Sequence, residues 1–346
     1  QVTGINVNYR KERFQVGVSA MYHTYNRMYY PTVREYNYYY LRDSFNFNAG
    51  IDYSYRLNRI SFAGEAAIAR NGAVATTNMV QYSPSNLFSL SALYRYFPIS
   101  YNAMHAQAFS ETSRVQNESG LYVGVTFSPM SKVSVTSYVD IFRFPWVRDQ
   151  VDKPSKGVDF YLLGTYSFNR NSNVEVRYKF KQKEQNARYP DENSRTVLPY
   201  NTQKIRFRYN NTLNNGWNFR TTLDAALYQQ KHFPMEKGYM LSQNIGYRGN
   251  EKISGDFFAG WFKSDTYAAR LYSYERNILT TFYMPSFYGE GVRLALSGRY
   301  NITSRFSFSA KIGHTRYFDR ETIGSGTEQI IGNSRTDVFT YLRWRF

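Results

Sequence analysis

The closing stretch Asp337-Val338-Phe339-Thr340-Tyr341-Leu342-Arg343-Trp344-Arg345-Phe346 sets the reading of the whole chain. Side chains of a strand alternate between two faces. Val338, Thr340, Leu342, Trp344 and Phe346 therefore share a mostly apolar face that ends in two aromatics. Asp337, Phe339, Tyr341, Arg343 and Arg345 share the other, which carries charge and a phenol. A strand with one apolar and one polar face, stopping on an aromatic, predicts a sheet with lipid on one side and water on the other.

The same alternation recurs upstream. Phe14, Val16, Val18, Ala20 and Tyr22 interleave with Gln15, Gly17, Ser19 and Met21. Hairpins are expected at Leu57-Asn58-Arg59, Ser83-Pro84-Ser85-Asn86, Ser128-Pro129-Met130-Ser131 and Asn214-Asn215-Gly216, whose residues suit tight turns. Longer connections separate them: Tyr25 to Asp43, Pro98 to Gln116, Phe144 to Lys156, Gln185 to Tyr200 and Asp319 to Asn333. Short and long links in alternation predict an all-β protein, a transmembrane antiparallel up-and-down β-barrel. Roughly 16 to 18 strands are expected across residues 1–346, with Asp265 to Gly291 the hardest stretch to assign. The location this implies is the bacterial outer membrane, with its lipid as the first partner.

Composition agrees. Aromatics are 18% of the 346 residues, and 34 of them are Tyr, which suits a membrane interface. No run approaches the roughly 18 apolar residues of a spanning helix, and the mean hydropathy is −0.57. There is no Cys, so closure would rest on the hydrogen-bond ladder and not on disulfides. The first residues, Gln1-Val2-Thr3-Gly4, have neither the basic nor the apolar region of a signal peptide, which suggests a mature protein or a fragment. A formal charge of +17 invites a polyanion, or is absorbed by barrel walls and lipid heads.

The terminal strand looks like the closing strand of an outer-membrane barrel, whose terminal aromatics, here Trp344 and Phe346, would be read by the barrel-insertion machinery. Three loop regions add a narrower resemblance. They are Phe109-Ser110-Glu111-Thr112-Ser113 with Asn117 to Tyr122, Asp140 to Trp146 with Asp152 to Gly157, and Ile323 to Ile330 with Gly332-Asn333. With the Leu-Arg-Trp-Arg-Phe end, they resemble the C-terminal barrel region of large Bacteroidota outer-membrane proteins. Those proteins are named for helix-hairpin-helix repeats similar to the DNA-binding competence protein ComEA. The resemblance covers most of the chain after Asn102 and implies that further strands, or another chain, precede Gln1. No Gly-rich helix-hairpin-helix motif occurs in residues 1–346, so DNA binding is not carried over by this resemblance.

Charge placement is more informative about function. Arg177, Lys179, Lys181 and Lys183 alternate with Val176, Tyr178 and Phe180, and Lys204, Arg206 and Arg208 alternate with Ile205, Phe207 and Tyr209. Arg220 extends the series beside Asp224. A charge at the lipid midplane costs about 2–4 kcal/mol, so this basic ladder should face a lumen. Such a lumen suits a channel or translocation component for an anionic polymer such as nucleic acid. A plugged scaffold barrel that binds a protein through its loops, with carboxylates neutralising the ladder, is the alternative. The loop mixing Tyr22 to Tyr40 with Arg27, Arg34 and Arg42 could stack bases or sugars, but better suits an interfacial girdle packed on itself.

Catalysis finds little in the sequence. His23, His105, His232 and His314 share no metal-ligand spacing, and no G-x-S-x-G elbow, phosphate loop or Cys nucleophile is present. His105 near Ser110 and Ser113 is the only pairing that invites nucleophilic chemistry. No enzyme activity, metal or cofactor is expected. Deleting Phe346 should lower the amount of protein in the membrane fraction while leaving any property of the purified barrel unchanged. Normal membrane levels of the deletion variant would dismiss the insertion-signal reading.

Overall fold

The computed structural model describes residues 1–187, 195–279 and 281–346. Among these, seventeen strands form one antiparallel sheet. The first are β1 (Val2–Lys11), β2 (Phe14–Tyr29), β3 (Asp43–Leu57), β4 (Ile60–Ala69), β5 (Val74–Ser85) and β6 (Phe88–Phe97). Then follow β7 (Glu118–Met130), β8 (Val133–Phe144), β9 (Ser155–Ser167), β10 (Ser172–Ala187), β11 (Thr196–Thr212), β12 (Trp217–Gln230), β13 (Glu236–Tyr247) and β14 (Ile253–Ser264). A two-residue hairpin, β15 (Leu271–Tyr272) with β16 (Ser286–Phe287), precedes β17 (Gly289–Asn301) and β18 (Phe306–Tyr317). A second, β19 (Thr322–Ile323) with β20 (Ile330–Ile331), precedes the last strand β21 (Ser334–Trp344).

Contacts divide the chain into two compact units. One holds Gln1–Pro129, Val135–Leu162 and Lys181–Asn201; the other holds Met130–Ser134, Leu163–Phe180 and Thr202–Phe346. In the first, β1 through β7 pair as a meander, with Val7 opposite Val18, Ala20 opposite Ala49 and Arg95 opposite Gly120. In the second, β12, β13, β14, β17, β18 and β21 do the same, with Leu296 opposite Ile312 and Ile312 opposite Val338.

The distribution of side chains is inverted relative to a protein in water. Phe47, Ile51, Leu121, Ile141, Leu296 and Val338 are exposed, while their strand neighbours Asn48, Gly120, Asp140, Ser297 and Asp337 point to the covered face. Arg95, Glu118, Arg293 and Lys311 are almost fully buried there. Water would reverse this arrangement, since it rewards burial of the apolar set. Hydrocarbon rewards what is seen, because the strand ladder satisfies the backbone and the apolar face meets lipid. The chain thus builds the wall of a transmembrane antiparallel up-and-down β-barrel.

The alternating stretch expected from Phe14 opens β2, and the turns expected at Leu57-Asn58-Arg59 and Asn214-Asn215-Gly216 join β3 to β4 and β11 to β12. Two boundaries moved for physical reasons. β2 runs on to Tyr29, because a register shift between Thr24 and Tyr29 lets it stay paired with β3 through the start of the Tyr-rich stretch. β5 reaches Ser85 through an irregularity after Tyr82, where Pro84 has no N–H to offer the ladder. At the Asn214-Asn215-Gly216 turn, Gly216 has φ +86°, and a Cβ there would overlap the backbone of Gly249. Of the connection expected from Gln185 to Tyr200, β10 takes the residues to Ala187 and β11 those from Thr196, while residues 188–194 lie outside the described residues.

The two faces should respond oppositely to charge. Leu296→Arg, in the middle of β17 on the exposed apolar face, should lower unfolding free energy in lipid vesicles by about 2–4 kcal/mol. Leu296→Phe should leave it unchanged. Equal stability of the two variants would show that this face does not meet hydrocarbon.

Candidate functional site: the polar face and its infolded loops

In the first unit the loop between β6 and β7 is tied to the polar face by a buried guanidinium. The alternation Tyr94-Arg95-Tyr96 sends both tyrosines outward and Arg95 inward. Arg95 Nε donates to Glu118 at 2.6 Å, and its two terminal nitrogens donate to the two oxygens of Asp140 at 2.7 and 3.0 Å. Glu118 in turn accepts the backbone N–H groups of Glu111, at 2.9 Å, and Thr112, at 3.4 Å. Phe109 lies 5.2 Å from the guanidinium. Gly120 stands opposite Arg95, and a methyl group there would overlap the guanidinium. The loop is thus held by charge-assisted bonds inside the sheet as well as by its own packing.

Tyr101 and Val115 of this loop pack against Ala69, Ala75 and Phe97. Asn117 exchanges two bonds with the Trp146 backbone, at 2.8 and 3.0 Å. The Tyr-rich loop closes over the same region: Trp146 Nε1 donates to Glu35 O at 3.0 Å, and Arg42 donates to the Asn37 side chain and to nearby carbonyls. Part of this set packs on itself, with Arg114 over the Tyr40 ring at 4.1 Å, while Tyr30, Tyr38, Arg27 and Arg34 are exposed.

In the second unit the connection between β14 and β17 is folded along the polar face. Its hairpin β15–β16 joins a core of Met240, Phe258, Phe262, Phe287 and Tyr317. Beyond it, Glu275 reaches a buried cluster. Arg293 donates to both Glu275 oxygens, at 2.8 and 3.1 Å, and to Asp337 at 2.9 Å. Lys311 pairs with Glu275 at 2.8 Å and donates to Asn277 at 2.6 Å. Gly313 makes room for Arg293, as Gly120 does for Arg95. Val292-Arg293-Leu294 shows the same apolar-Arg-apolar spacing as Tyr94-Arg95-Tyr96.

The basic ladder falls into the two units. Val176, Ile205 and Phe207 are exposed, so the intervening cations lie on the polar face. In the first unit, Lys181 donates to Glu111 at 2.7 Å and pairs with Asp159 at 3.2 Å, and Lys183 reaches Glu111 at 3.0 Å. In the second, Arg206 pairs with Asp224 at 2.5 Å and donates to Tyr272 O at 2.9 Å. Arg208 pairs with Glu175 at 3.2 Å, and Arg220 donates to Asn210 at 3.0 Å. Lys204 sits over the Tyr272 ring at 5.2 Å, with Arg270, Lys179, Arg177 and Arg206 as like-charged neighbours.

Burial works against the Glu111 charge, but the hydrogen bond from Lys181 and the charges of Lys183 and Lys181 win, holding this carboxyl below the usual carboxylate range. The histidines are brought partly together: His23 and His105 meet edge-on with ring centroids 5.1 Å apart. Ser110 donates to Thr112 O at 2.6 Å. No group of three or more His, Asp and Glu able to hold a metal occurs among the described residues. Trp344 and Phe346 are both exposed, with rings 5.7 Å apart.

An exposed apolar face and a buried ionic face, with a loop folded along it in each unit, are those of a transmembrane β-barrel wall. No family model matches the chain, and no curated protein matches it. Among solved structures it is similar to OmpT of Vibrio cholerae, at 12% identity, 98% of this chain, 99% of that chain and TM-score 0.41. It is also similar to the outer membrane channel DcaP of Acinetobacter baumannii, at 8% identity, 86% and 96% coverage and TM-score 0.42. A third is FpvA of P. aeruginosa bound to heterologous pyoverdines, at 11% identity, 99% and 64% coverage and TM-score 0.44.

Because the folded pKa of Glu111 is depressed, its stabilising contribution is present above the unfolded value of about 4.3 and is lost as pH falls through the folded value. Hydrogen exchange in residues 98–117 should therefore accelerate on acidification below about pH 4, and Glu111→Gln should abolish that step. Glu118→Ala, which leaves Arg95 short of a carboxylate, should cost about 3–5 kcal/mol and free the same loop at neutral pH.

Proposed function

We propose that this protein is an outer-membrane channel for small anions, not an enzyme, with its polar face narrowed by the two infolded loops. The observation that carries this reading is the cationic surplus on β10, β11 and β12 in the second unit. Among the described residues Lys204, Arg206, Arg208 and Arg220 stand there with two carboxylates, Glu175 and Asp224, which pair with Arg208 and Arg206. Lys204 has Arg270 and Arg206 among its neighbours, like charges whose repulsion a visiting anion would relieve. The occupied polar face supports small solutes over a polymer. A nucleic acid would have to displace loops that buried ion pairs hold in place.

The second reading, a plugged scaffold, draws on those same buried pairs: Arg95 and Glu118 are fully buried, as are Arg293, Glu275 and Lys311 to within a few per cent. By it, the loops never leave and the extracellular ends bind a protein partner. The resemblance to ComEA-like proteins would add further segments or chains to either reading.

Bilayer recordings separate them. The channel reading expects anion-selective conductance. Lys204→Gln combined with Arg220→Gln orphans no carboxylate, since neither residue is ion-paired among the described residues. The pair should reduce anion-over-cation permeability several-fold, because one unit charge near a passing ion is worth on the order of 1 kcal/mol in wet surroundings. Glu275→Gln should raise the conductance by loosening the hairpin. Silence of both the wild type and Glu275→Gln would leave the scaffold. Salt-sensitive DNA binding lost in the Gln variants would restore the polymer.

A further inference from the structure

The infolded connection between β14 and β17 does more than fill space. Past Glu275 its tip covers the ends of β14, β17, β18 and β21 that lie beside the short turns, and leaves a cavity of about 440 Å³. That volume falls within the range of sites that enclose small molecules. Registers across the sheet bring its floor together. Ser254 is opposite Arg299, Arg299 opposite Ser309, and Ser309 opposite Tyr341, so one row crosses four strands. The next row adds Ser307 opposite Arg343. Arg276, from the tip, forms part of the opposite wall.

The charges in this cavity are unbalanced. Its carboxylate, Asp256, is already bonded by Arg248 at 2.5 Å and lies 3.4 Å from Arg276. Arg299 donates only to the neutral Asn301 side chain, at 3.0 Å, among the described residues. Arg343 makes no side-chain hydrogen bond or ion pair among them, although it is half buried. Ser297, Ser307 and Ser309 are buried residues that line the cavity and likewise have no side-chain partner among the described residues. Two guanidinium forks without a carboxylate, beside hydroxyls and the Tyr341 ring, match an oxyanion on a polyhydroxyl body.

We propose that this cavity binds a small phosphorylated sugar, with Arg299 and Arg343 on the phosphate and the serine row with Tyr341 on the sugar. The proposal rests on the reading that the polar face meets small anions. Binding here is nevertheless read at equilibrium, without ion flow, so a barrel that conducts nothing can still pass this test.

The experiment titrates the purified full chain in detergent with glucose 6-phosphate, glucose, gluconate and inorganic phosphate, following heat by calorimetry. Glucose 6-phosphate should bind saturably, and glucose should bind at least tenfold more weakly. Arg343→Gln and Arg299→Gln should each weaken the phosphorylated sugar by ten-fold or more. Arg343→Lys, which keeps the charge but loses the fork, should fall between wild type and Arg343→Gln and shows that loss is not misfolding. Lys181→Gln with Lys183→Gln, in the other unit, should leave the affinity unchanged. The proposal is overturned by no saturable binding, by affinity that survives the Arg299→Gln and Arg343→Gln double variant, or by gluconate binding as tightly as glucose 6-phosphate. Loss through the Lys181 and Lys183 pair instead would place the anion on the ladder and not in this cavity.

Discussion

A strand crossing hydrocarbon has no water to bond its backbone, so every N–H and C=O must find a partner in the neighbouring strand. That constraint orders the rest of this molecule. It forces long regular ladders such as Val2 to Lys11 against Phe14 to His23, and Ile253 to Ser264 against Gly289 to Tyr300. Regular ladders enforce strict alternation, and alternation sends Tyr94, Tyr96, Leu294 and Leu296 outward and Arg95, Arg293 and Ser297 inward. The polar face is therefore a consequence of the apolar one.

Once cations are placed on a covered face, they must be answered there. Arg95 and Arg293 solve this alike: each takes two carboxylates, and each has a glycine beside it that leaves room for the guanidinium. In both, one of the bonded groups belongs to or holds an infolded loop, Glu118 through the backbone of residues 111–112 and Glu275 directly. The ion clusters thus convert a requirement for charge balance into loop positions. Such clusters add little net stability, but losing one partner is costly, so they specify where the loops lie.

Much of this was written in local patterns. Period-2 alternation and turn chemistry identified nearly every strand, because the spacing of apolar residues is a local property. The inward direction of the ladder cations could also be read, since Val176, Ile205 and Phe207 must face lipid. Arg95 and Arg293 went unremarked in that reading, although an Arg between two outward-facing residues, as in Tyr94-Arg95-Tyr96, carries the same signal. The stretch from Asp265 to Gly291 resisted assignment because it has no alternation to read.

The sequence by itself determined the strand ladder, the lipid-facing side and the surplus of cations, all of which follow from residue type and period. Only the tertiary structure decided which carboxylates meet which cations. Glu111 reaches Lys181 across 70 residues, and Asp337 reaches Arg293 across 44, distances along the chain that no local pattern encodes. It likewise decided that the connection after β14 turns inward. That outcome depends on Glu275 finding Arg293 and Lys311 on a face assembled from strands that follow it in the chain.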